Sequence, residues 1–82
     1  LEALDQLAQL DLEAGRFAEA ERRLSVLAER APANARILNN LAWTLVSTGD
    51  AAALPRAREM AERAYVLLPS AETADTLGWV LT

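Results

Sequence analysis

Apolar positions recur at intervals of three and four along most of the chain, the spacing that gathers side chains on one face of an α-helix. Across residues 2–14 the set is Leu4, Leu7, Ala8 and Leu12, and Gly15 ends the helix because glycine accepts the left-handed backbone beyond a last turn. A second helix is predicted over 17–30, with Phe17, Ala20, Leu24, Leu27 and Ala28 inward and Glu19 and Arg23 paired one turn apart on the wet side. Pro32 biases Ala31 away from helical backbone, so the chain turns there. Asn34 can cap a third helix over 35–48, which buries Leu38, Leu41, Ala42, Leu45 and Val46 and stops at Gly49.

A fourth helix is predicted over about 54–67, with Pro55 in its first turn, where a missing amide does least harm. Ala57, Ala61 and Ala64 form a small-residue stripe along it, and Arg58–Glu62 and Glu59–Arg63 are opposite charges four apart. Pro69 stops this helix, Ser70 can cap a fifth, and that helix runs from about Ala71. The predicted fold class is all-α, an antiparallel array of about five helices.

The pattern also repeats. Leu7-Ala8 returns as Leu41-Ala42 and Gly15 as Gly49, each 34 residues later, and Leu77-Gly78 opens a third unit. Gly15 to Pro32 spans 17 residues and Gly49 to Pro69 spans 20, which places a three-residue insertion near 50–53. The units are therefore 1–34, 35–70 and the first helix of a third over 71–82. The chain starts at Leu1 rather than Met, and it reads as a piece of a longer protein.

Leu4, Leu7, Ala8, Gly15, Phe17, Glu19, Ala20, Leu24, Pro32 and Asn34 in the first unit, and Leu38, Asn40, Leu41, Ala42, Gly49, Asp50, Ala57, Ala61, Ala64 and Pro69 in the second, resemble the tetratricopeptide repeat family. The resemblance spans essentially the whole chain. It departs at Leu4 and Leu38, where the family often has Trp, and at Asp11, where an aromatic is usual. What the resemblance implies is a solenoid of helix hairpins, with the first helix of each pair lining a concave ligand face. Asn39 to Trp43 and Asp75 to Leu81 also resemble bacterial repeat proteins linked to exopolysaccharide export and surface-protein sorting.

On that arrangement the candidate partner-binding residues are Glu2, Asp5, Gln6 and Gln9 of the first helix, Arg36, Asn39, Asn40 and Trp43 of the third, and Glu72, Asp75, Thr76 and Trp79 of the fifth. Asn40 stands where family members that hold extended peptides often have Asn, whose amide both donates and accepts; it can equally be a turn-supporting consensus residue. Trp43 and Trp79 each follow the signature Leu by two positions, and either form an aromatic platform or pack between helices. Leu77, Trp79, Val80 and Leu81 make an apolar stripe that predicts self-association.

Composition narrows the chemistry. Ala and Leu supply 18 and 15 of 82 residues, His and Cys are absent, and the net charge is −4. Without His or Cys there are no disulfides, no zinc site of the usual kind and no imidazole base. No catalytic residue, metal or cofactor is expected. Asp11 and Glu13 diverge around their helix and read as a solvated face rather than a carboxylate pair. The acidic balance argues against nucleic acid, and no apolar run approaches a membrane span. The first-type helices carry six acids against Arg36 alone, whereas the second-type helices carry five acids against six arginines. The expected function is a protein-interaction module with an acidic, partly aromatic groove. The alternatives are a structural spacer or self-assembly segment, or a recognition arm of an enzyme elsewhere in the chain.

Overall fold

The computed structural model describes residues 2–81, with Glu2 described in its backbone alone. Five α-helices follow one another: α1 (Glu2–Glu13), α2 (Phe17–Arg30), α3 (Ala35–Ser47), α4 (Leu54–Leu67) and α5 (Ala71–Leu81), with a 3-10 turn at Ala51–Ala53. No strand occurs among the described residues. Each helix packs on the next in sequence, and α3 also touches α5. That makes α3 central, and Leu38, Leu41, Ala42 and Leu45 on it are almost fully buried against Ala20, Leu24 and Leu27 of α2 and Ala57, Ala61 and Ala64 of α4.

The helix ends follow from local chemistry. Gly15 has φ +76° and Gly49 has φ +75°, the left-handed backbone that glycine adopts without strain. Beyond α1 the Gly15 N–H donates to the Leu12 carbonyl (3.1 Å) and the Arg16 N–H to the Asp11 carbonyl (2.8 Å), satisfying carbonyls that the helix leaves open. The Asn34 side chain accepts the Ile37 N–H at 3.2 Å and caps α3. Asp50 accepts the Ala52 N–H at 3.0 Å, so the extra residues after Gly49 form the 3-10 turn that leads into α4.

Ser70 and Thr73 cap α5 reciprocally. The Thr73 N–H donates to Ser70 Oγ (3.2 Å) and the Ser70 N–H to Thr73 Oγ1 (3.0 Å), a capping box built with threonine in place of the usual Glu or Gln. The Thr73 hydroxyl donates in turn to the Leu68 carbonyl at 2.7 Å, tying the start of α5 to the end of α4.

Four expectations need correction. Leu7 is 45% exposed, although Leu41 at the equivalent place is fully buried. The cause is packing: α1 lies on α2, with Leu4, Ala8, Asp11 and Leu12 on the inner side, whereas α3 has helices on more than one side. Asp11 is not on a solvated face but buried, 3% exposed, and pairs with Arg23 and Arg16. Because Arg23 is committed to Asp11, Glu19 pairs with Arg22 instead. Arg63 donates to the Pro32 carbonyl (3.0 Å) rather than pairing with Glu59, whereas Arg58 does face Glu62 at 3.8 Å.

Candidate functional site

A groove of about 490 Å³ runs between α3 and α5. Its α3 wall is Asn39, Asn40 and Trp43, which lie within one helical turn, and its α5 wall is Glu72, Asp75, Thr76 and Trp79, spaced three, one and three residues apart on one face. The capping box at Ser70 and Thr73 fixes where α5 begins and hence where these four side chains fall.

Trp43 and Trp79 are 42% and 60% exposed, so neither is enclosed as core. Trp43 meets the ring of Phe17 at the start of α2 edge-on, with centroids 5.8 Å apart and planes at 61°. This contact holds the Trp43 ring while leaving much of it open to the groove. Two side chains of α3 bond back to its own carbonyls along the same stretch: the Thr44 hydroxyl donates to the Asn40 carbonyl (2.7 Å) and the Ser47 hydroxyl to the Trp43 carbonyl (2.9 Å). Asn40 is half-buried, and Asn39 Oδ1 is a buried acceptor with no hydrogen-bond partner among the described residues.

The groove thus brings together Asn39, Asn40, Trp43, Asp75 and Trp79 from the predicted binding set. Thr76, expected to be exposed, is 7% exposed and forms the floor rather than a rim. Gln6 is exposed and Gln9 half-buried on α1, and neither lines the groove. The side chain of Glu2 lies outside the described residues.

Arg36 and Asp5 are also elsewhere. Arg36 Nη1 donates to Asp5 Oδ1 at 3.2 Å and Nη2 to Oδ2, a two-pronged pair between α3 and α1. Hydrogen bonding to the Asp5 carboxylate raises the pKa of the Arg36 guanidinium above its ordinary value. With Asp11 turned inward and Asp5 paired, the acidity expected along all three first-type helices narrows, at the groove, to Glu72 and Asp75.

The C-terminal apolar stripe is likewise divided. Leu77 and Val80 are partly buried against the core, while Trp79 and Leu81 face outward. A second hollow of about 500 Å³, lined by Pro32, Ala33, Glu62, Arg63, Val66 and Leu67, lies at the end of α4 and is mostly apolar. None of the described helices is long and apolar enough to cross a membrane.

Comparison of the chain with family models, with curated proteins and with solved structures returns no match.

Proposed function

We propose that the chain is a tetratricopeptide-like helix-hairpin module that holds a peptide or protein segment in the groove between α3 and α5. One observation carries this reading: Trp43 and Trp79, in equivalent places after Leu41 and Leu77, line one groove and keep large exposed areas on its walls. Flat, rigid rings of this kind contribute large contact area at little entropic cost. The half-buried Asn40 beside them supplies a donor and an acceptor of the sort an extended backbone can use.

The stacked-repeat part of the reading draws on a second regularity. Arg36 to Asp5, Arg56 to Ser25 (3.1 Å) and Arg63 to the Pro32 carbonyl each link residues 31 apart, on three different parts of the surface. Each contact ties one helix hairpin to the next, the neighbour-to-neighbour packing on which a stacked-hairpin array depends. The units proposed are 1–34, 35–70 and an opening helix over 71–82.

Selection from a random peptide display against the folded chain tests the reading, with the Trp79→Ala variant as counter-target. Trp79 is chosen because it is the more exposed of the two indoles on the groove walls. Peptides that bind the parent chain and lose the variant are expected; a selection yielding only peptides indifferent to Trp79 would overturn it.

The assembly reading also has an observation in its favour. Val66, Leu67 and Leu68 are exposed at the end of α4, Val66 at 77%, beside the apolar hollow at Pro32 and Ala33. Such a surface suits contact with another copy or another repeat.

A further inference from the structure

The groove between α3 and α5 has one sign of charge. Glu72 and Asp75 stand one turn apart on its α5 wall, and no arginine lines it. The only basic residue on α3 is Arg36, which is held by Asp5, and α5 has none. On the same walls are the exposed indoles of Trp43 and Trp79.

These features converge on one type of ligand group. Indole faces attract a cation through their quadrupole, and carboxylates attract it through charge. A guanidinium satisfies both at once: it is planar, carries five N–H donors, stacks on aromatic faces and sheds water more readily than an ammonium. Lysine meets the charge but lacks the stacking plane. The volume of about 490 Å³ falls within the range of roughly 300–1,000 Å³ common for ligand pockets.

We propose that the groove recognises an arginine side chain carried on an extended segment of a partner protein, with the guanidinium against the indoles of Trp43 and Trp79 and in reach of Glu72 and Asp75. This rests on the peptide-groove reading and specifies its ligand. The partner is therefore a basic segment, and its binding weakens as salt rises, because part of the attraction is between exposed charges.

Calorimetric titration with three short acetylated, amidated peptides tests it. They share one neutral sequence and differ only at the central residue, which is arginine, lysine or citrulline, the last keeping arginine's shape without its charge. The arginine peptide is expected to bind most tightly, with citrulline weaker by about tenfold or more, in line with the loss of charge-assisted hydrogen bonds. The Glu72→Gln/Asp75→Asn double variant should lose about the same factor for the arginine peptide and clearly less for the citrulline peptide. Circular dichroism checks that the variant keeps its helices. Equal affinity for arginine and citrulline would overturn the arginine assignment and leave the peptide groove standing. Failure of all three peptides to bind would also overturn it, and the peptide-groove reading would fall with it only if the Trp79-dependent selection were empty as well.

Discussion

Arg23 on α2 reaches across to Asp11 on α1, whose side chain is only 4% exposed, and Arg16 closes the same carboxylate from beyond the helix end with Nε 3.2 Å from Oδ1. The turn at Gly15 makes the second contact possible, since the Arg16 N–H bonded to the Asp11 carbonyl fixes where the Arg16 side chain starts. An apolar contact usually accompanies such a turn; here an ion pair takes its place.

This arrangement sets a pH dependence. Burial raises the pKa of Asp11, but hydrogen bonds from Arg23 and Arg16, aided by their charges, outweigh it and leave the carboxyl below its ordinary 3.8. A carboxylate depressed in the folded state contributes stability that is complete above its unfolded pKa and lost as pH falls through the folded value. Urea midpoints of the parent chain and Asp11→Asn should therefore differ by a constant amount from neutral pH down to about 5, and the gap should close below about 4. A gap independent of pH would contradict the account.

Gly15→Ala isolates the backbone cost of the turn, because an added Cβ meets nothing within 4 Å. The strain comes from φ +76° alone. Denaturant unfolding should show a loss of about 1–2 kcal/mol, the cost of left-handed backbone for a residue with a Cβ.

Ala57, Ala61 and Ala64 are all fully buried where α4 lies on α3. Ala61→Leu has to force the helices apart, and a stability loss of roughly 1–3 kcal/mol is expected from equilibrium unfolding. Ala52→Leu, on the exposed 3-10 turn, should stay within about 0.5 kcal/mol of the parent.

The exposed apolar end of α4, together with Leu81 and Trp79 on α5, leads to the expectation that the chain self-associates as concentration rises. Sedimentation velocity should show a mass that increases through the micromolar range and returns toward monomer in Val66→Glu. A monomer at every concentration would remove this reading.

Much of the helix layout was legible because it rests on local signals: Gly15, Pro32, Asn34, Gly49, Pro55 and Pro69 act on their own neighbours. The pairing of Trp43 with Trp79 was also readable in part, from their shared place after the signature Leu. Long-range partners were not. Nothing near Asp11 announces Arg23, 12 residues away, and nothing near Arg36 announces Asp5, 31 residues away, yet the first pair takes Asp11 off the expected solvated face and the second commits Asp5 and Arg36 of the expected ligand face to each other. Leu7 and Leu41 are the same letter at the same place in the pattern, and only the number of neighbouring helices makes one exposed and the other core. Thr73 carries no sequence signal of its role, which depends on the chain reversing at Leu68 so that one hydroxyl serves both Ser70 and the Leu68 carbonyl.

The two tryptophans offer the most direct test of the groove. Each indole N–H gives its own resonance in a ¹⁵N-correlated spectrum, and a peptide from the display selection can be titrated while both are followed. If the groove between α3 and α5 is the binding site, the Trp43 and Trp79 signals move together along one isotherm, with Asn39 and Asn40 amides shifting alongside. Indole signals that stay fixed while Ala33, Val66 and Leu67 respond would move the binding surface to the end of α4 and contradict the account.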